Sequence, residues 1–166
     1  MQTVEKILAS IQDAYGSLEE PNFGFVSRAL KRQPYRELLM SISHLYSVEE
    51  DTDENDDVSF GYILRSSTET CTLRISMVGP YCILLHVFDD GTCSLIEPSK
   101  KIGSPSAQLL VEALTQAGLH LLDEHTLLVP VDLALSNTEP DNRRIFQALF
   151  TDTDIIPWVS STVSPR

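Results

Sequence analysis

The residues of this chain that could do chemistry fall into a few short clusters, and spacing is the test of each. His120, Asp123, Glu124 and His125 put four possible metal ligands within six residues. A transition metal takes imidazole and carboxylate donors that neighbouring hydrogen bonds hold in place. The flanking runs 119–122 and 126–131 suggest a short hairpin, which would put the two histidines on opposite limbs and the acids on its turn. An exposed polar turn is the simpler reading. Asp152 and Asp154 are spaced so that two carboxylates could share a divalent cation, but that spacing arises by chance in any acidic chain. Asp51, Asp53 and Asn55 imitate the opening of a calcium loop. The pattern then fails, because the position requiring glycine is Asp56 and the position requiring a bidentate glutamate is Tyr62.

His86 sits inside an apolar run, where a histidine is more often a core or edge residue than a general base. A nucleophile would have to face it across the sheet, and Cys93 is the candidate, diagonal to it on the face that also carries Glu97. G-x-S-x-G, H-E-x-x-H, G-x-G-x-x-G and P-loop patterns are all missing, which disfavours the commonest hydrolase, zinc-protease and nucleotide-binding chemistries. No cofactor is implied, and the balance leans away from an enzyme.

The elements that must position these residues centre on a meander over 60–97. Four apolar runs, 60–65, 71–78, 81–88 and 93–97, are separated by turn residues. In the second, Cys71, Leu73, Ile75 and Met77 alternate with Thr72, Arg74 and Ser76, so one face is buried and one is wet. The third is apolar on both faces apart from His86, as in an interior strand covered on two sides. Asp90-Gly91 predicts a two-residue turn, with Phe88 opposite Cys93 and His86 opposite Leu95.

Helical spacing predicts helices over 3–18, capped by Thr3, over 23–32, and from Pro34 through Tyr46. A further helix runs over 105–117 behind a Ser104 cap, with Gly118 ending it. Thr138, with Asp141 three residues on, predicts the start of a last helix through Phe150, with Ile145, Phe146 and Leu149 inward. The apolar run at 155–158 should dock on the body. The expected architecture is α+β: a four-stranded antiparallel meander, extended by the 119–131 hairpin, with helices on one face. It spans 1–159 as one domain, followed by a disordered tail at 160–166.

The chain has 166 residues and a formal net charge of −12. Such a field repels phosphate backbones and anionic lipid and attracts basic partners, so neither nucleic acid nor a membrane is expected as a ligand. Arg28, Lys31, Arg32 and Arg36 form one basic cluster, read as a counterweight to the acids or as part of a protein interface. No apolar run is long enough to cross a bilayer, and Met1 opens directly into an amphipathic pattern without a secretory leader, so the cytoplasm is the expected compartment. Cys71, Cys82 and Cys93 are an odd count without close spacing, as for reduced core thiols.

The run from Val48 to Val58 is too acidic to bury and reads as a solvated loop. With these acidic stretches and the hairpins of 71–97, the layout resembles small bacterial toxin-immunity proteins, and also acidic chaperones of secretion systems. The first resemblance implies a non-catalytic module that neutralises or masks a basic partner protein such as a toxin. Its carboxylates would be Glu49, Glu50, Asp51, Asp53, Glu54, Asp56 and Asp57. The second implies a homodimer with apolar grooves. A third reading is a small enzyme or ligand-binding domain with a pocket between the sheet and the 105–117 helix, using His86, Arg74, Tyr62 or Tyr81.

Overall fold

The computed structural model describes residues 3–159, so the tail expected to be disordered lies outside the described residues. Helix α1 (Val4–Tyr15) begins where the Thr3 hydroxyl accepts the Lys6 N–H at 3.2 Å. It ends at Gly16, whose φ of 77° suits glycine best. Ile7, Ile11 and Tyr15 bury one stripe. Helices α2 (Gly24–Arg32) and α3 (Arg36–Ile42) follow, joined through Gln33 in the left-handed region at φ 45°.

Five strands of the six-stranded sheet, β1 (Ser47–Glu50), β2 (Ser59–Arg65), β3 (Thr70–Ser76), β4 (Tyr81–Val87) and β5 (Cys93–Leu95), lie in that order and pair antiparallel, and a short sixth pairs parallel to β4. This is the expected α+β meander with one strand more. The extra strand is β1, which corrects the reading of 48–58 as a loop from end to end. Acidic side chains do not prevent strand formation at a sheet edge, where both faces can be wet and charge discourages pairing with another chain.

Helices cover both faces of the sheet, not the single face expected. The cause is β4: Tyr81 and Ile83 project to one side, Cys82 and Leu84 to the other, and all four are buried. Cys82 and Leu84 join Leu73, Ile75 and Phe60 under Leu38 and Ile42 of α3 and Leu110 and Leu114 of α4 (Pro105–Gln116). Tyr81 and Ile83 pack with Ile7 and Ile11 of α1 and with Phe146 and Leu149 of α6 (Ile145–Leu149).

The β4–β5 register is Leu85 opposite Leu95, His86 opposite Ser94 and Val87 opposite Cys93. It lies one residue from the expected pairing, because the connection has three residues, Asp89, Asp90 and Gly91. Phe88 N–H donates to the Thr92 carbonyl at 2.8 Å, and Gly91 takes φ 88°. Asp-Gly serves the three-residue loop with a left-handed glycine as well as the two-residue turn.

The expected hairpin at 119–131 is replaced by β6 (His120–Leu121) and a helical turn, α5 (Glu124–Leu127). β6 pairs parallel to the start of β4, on the edge that β5 occupies further along. Asp123 caps α5 by accepting the Thr126 N–H at 2.9 Å, and Glu97 accepts the Glu124 N–H at 2.8 Å. Both carboxyls are held below their ordinary range, Asp123 chiefly by the Thr126 N–H and Glu97 chiefly by Lys100 and then by the Glu124 N–H. A depressed carboxyl stabilises the fold above its unfolded pKa of about 4, and that contribution is lost as pH falls through the folded value. Hydrogen-exchange protection of the Glu124 and Thr126 amides should therefore decline below pH ~4, before protection of the β3 and β4 amides does.

Thr138 caps no helix. Its hydroxyl donates to Asp152, and the last helix starts only at Ile145, after a 3-10 turn over Pro140–Asn142. Ile145, Phe146 and Leu149 face inward as expected, and the run after it does dock: the Trp158 ring meets Phe146 edge-on at 5.2 Å. No helix among the described residues is long and apolar enough to cross a membrane.

Cys71 and Cys82 are fully buried, and burial pushes both thiols up to about 12. Cys93 is half-buried and raised for the same reason. Because the thiolate is the nucleophile, native protein at pH 8 should take up an aromatic disulfide reagent first at Cys93. Cys71 and Cys82 should react only in urea, as mass spectrometry of the labelled peptides would report.

Candidate functional site

The acidic stretch is a folded structure laid over the second face of the sheet. β1 pairs with β2, with Glu49 opposite Ile63 and Glu50 opposite Tyr62. The chain then turns inward: Asp51 N–H donates to the Gly61 carbonyl at 2.8 Å, and Gly61 N–H to Thr52 Oγ1 at 3.0 Å. Glycine is needed at 61, since a Cβ there would lie 2.9 Å from the Asp51 carbonyl oxygen.

Asp57 closes the loop from within. Its Oδ2 accepts from Arg74 Nη1 and from the Asp53 N–H, each at 3.0 Å, and its side chain is 5% exposed. Of the seven acids expected to meet a partner, Asp57 is therefore buried and paired. Glu49, Glu50, Asp51, Asp53, Glu54 and Asp56 are exposed. Glu49 is paired with Arg65 at 2.6 Å on the surface.

A second acidic segment, remote in sequence, folds against the first. Asp57 and Thr151 form an antiparallel bridge, and Asp152 N–H donates to the Asp56 carbonyl at 3.2 Å. The Asp152 carboxylate accepts from Asn137 N–H and the Thr138 hydroxyl, while Asn137 Nδ2 donates to Asp56 Oδ1 at 3.2 Å. Asp154 Oδ1 accepts from Asn142 Nδ2 and Glu139 N–H, both at 2.9 Å, and these bonds lower its carboxyl in that order. Asp152 and Asp154 thus staple the 137–142 loop. Among the described residues no group of three or more His, Cys, Asp or Glu is arranged to hold a metal.

The product is a concavity of about 740 Å3 lined by Asp51, Asp53, Asp56, Asp57 and Asp152, with Arg74 the one cation on its wall and Ile155 and Pro157 on its apolar side. Arg74 already pairs with Asp57. Ile155 is 73% exposed. Uncompensated carboxylates beside an exposed aliphatic side chain suit a basic protein surface that carries an apolar contact of its own. Sequence reasoning missed Asp152 as a contributor to this face, because only the fold brings it to Asp56.

The remaining candidates separate. The one-residue register difference puts Cys93 on the opposite face from His86, which removes that nucleophile–base pair. His120 lies on β6, Asp123 and Glu97 hold the start of α5, and Glu124 accepts from Trp158 Nε1 at 2.9 Å. Arg28 and Arg32 line a separate cleft of about 560 Å3 with Tyr35 and Phe60. Neither pairs with an acid among the described residues, whose acidic loop is matched by Arg65 and Arg74 instead. No family model, curated protein or solved structure matches this chain.

Proposed function

We propose that this protein is a non-catalytic binding module that docks a basic partner protein on the concave acidic face. One observation carries the reading: two acidic segments far apart in sequence converge on a concavity whose single arginine is already paired. The immunity-type role, in which such a face masks the basic functional surface of a toxin, is the form of this reading that the layout favours. Six of the seven acids first expected to take part remain exposed on or beside the face, and Asp57 supports it from below.

The test is affinity capture from the source cell at two salt concentrations, with the intact protein and with the variant Asp51→Asn/Asp53→Asn/Glu54→Gln/Asp56→Asn. Asp57 is left in place so that the loop keeps its anchor. Charges at this distance act within about 8 Å at physiological ionic strength. The expected result is a basic protein held by the intact form, released as salt rises, and bound at least about tenfold more weakly by the variant. Equal capture of the same proteins by both forms would rule out the acidic face as the docking surface.

A further inference from the structure

A second cleft, of about 430 Å3, opens between the β4–β5 hairpin and the N-terminus of α4, remote from the acidic face. On its floor is Glu69, a residue of the loop between β2 and β3 whose side chain is 6% exposed. Its Oε2 accepts from the Tyr46 hydroxyl and from Ser104 Oγ at 3.0 Å, and Ser104 Oγ accepts in turn from Ala107 N–H at 3.2 Å. These donors fix the carboxylate and leave Oε1 turned toward His86. Oε1 makes no hydrogen bond among the described residues, and His86 Nε2 stands 4.0 Å away, too far to bond directly.

The other ring nitrogen decides what can fill that gap. His86 Nδ1 is buried and has no partner among the described residues. A buried N–H without an acceptor is costly, so the proton belongs on Nε2 and points at the cleft. A group between the two must accept from Nε2–H and donate to Oε1. A ligand hydroxyl does both. An ammonium cannot accept, and a carboxylate or phosphate oxygen without a proton cannot donate. One oxygen about 2.8 Å from each atom spans the gap.

The walls add two further preferences. The Phe88 ring, 46% exposed, lies 4.7 Å from the His86 ring and offers an apolar face to C–H groups. Lys100 and Lys101 stand at the mouth. Lys100 pairs with Glu97 at 2.7 Å, whereas Lys101 has no ion pair among the described residues. In a chain of net charge −12, that lysine favours an anionic group on the ligand.

We propose that this cleft binds a small hydroxylated anion, one hydroxyl bridging His86 Nε2 and Glu69 Oε1 and the anionic group facing Lys101. A hydroxycarboxylate and a sugar phosphate share this chemistry. The experiment is a titration of isotope-labelled full-length protein followed by NMR, with D-gluconate and glycerol 3-phosphate as hydroxylated anions. Acetate and sulfate, both fully ionised at neutral pH, serve as anions without a hydroxyl, and glycerol as a hydroxyl compound without charge.

At least one hydroxylated anion should shift the His86 ring, Phe88 and residues 100–104 together, and the stronger of the two identifies the anionic group. His86→Phe should weaken that binding by at least about tenfold, and the exposed Lys101→Gln by about threefold. Both variants are checked for a native spectrum first, and Lys101→Gln, on the surface, keeps the test usable if the His86 variant unfolds. Equal shifts from acetate or sulfate would reduce the cleft to a patch of lysines and overturn the hydroxyl bridge. Silence at His86 with both hydroxylated anions at tens of millimolar, a range in which binding is worth only about 2–3 kcal/mol, would mean that the gap holds water alone, which also overturns it.

Discussion

Asp57→Ala is expected to lower folding stability by about 3 kcal/mol, whereas Glu49→Ala, at a residue also in an ion pair, should change it by less than about 1 kcal/mol. The difference follows from burial. The Asp57 and Arg74 side chains are 5% and 19% exposed, while Arg65 and Glu49 are 52% and 58% exposed. Removing the buried carboxylate leaves a guanidinium largely out of water without a partner. It also strands the Asp53 N–H, which donates to the same oxygen. The surface pair loses only an interaction that solvent already screens. Urea titrations with unchanged m-values would measure both. A loss at Asp57 no larger than that at Glu49 would mean that the loop is not anchored through the sheet. Arg74→Met combined with Asp57→Leu should recover part of the loss, since removing both partners is far less costly than removing one.

This contrast shows what the sequence could and could not disclose about the acidic stretch. Its charge was plain, but nothing local separates Asp57 from Asp56. The distinction exists only because Arg74, on the wet side of an alternating strand, lies beneath position 57. The same limit explains Asp152 and Glu69, which acquire their surroundings from remote elements: Asp56 and Asn137 for one, Tyr46 and Ser104 for the other. Elements whose signals are local were legible. The Thr3 and Ser104 caps, the glycine stop at 16 and the two-residue period of β3 all have their causes within a few residues.

The misread elements were those in which one local signal serves two structures. Asp90-Gly91 suits two loop lengths. Asp123, three residues before Thr126, suits either a turn or a helix cap, and the helix won because it places Leu127 fully inside the core. That β4 is apolar on both sides was visible in the sequence, and it required the second layer of helices found over Tyr81 and Ile83.

That second layer leads to the other large effect: Phe146→Ala should cost about 4 kcal/mol. Helix α6 has five residues and all are buried, so no amphipathic period announces it and no exposed face stabilises it alone. Phe146 is completely buried, 6.1 Å from Phe150 and 5.2 Å from Trp158 between ring centroids. Removing its ring opens a cavity between the helix and the docked C-terminal segment. The carbonyls near the end of α6 are satisfied from elsewhere in the fold: Tyr15 Oη donates to Ala148, Ser76 Oγ to Leu149, and both Val58 N–H and Ser59 Oγ to Phe150. The backbone is therefore pinned and cannot collapse into the void, which places the expected loss high in the range for such truncations. Trp158 is the chain's only tryptophan, so its fluorescence gives a second reading. In folded Phe146→Ala protein its emission should move to longer wavelength as the indole loses its packing partner. A loss below about 1 kcal/mol without that shift would show that α6 and the segment behind it are dispensable to the core. The proposed acidic face would then have no fixed support on its Asp152 side, because Thr151 and Asp152 follow directly from this helix and reach Asp57 and Asp56 only while it holds its place.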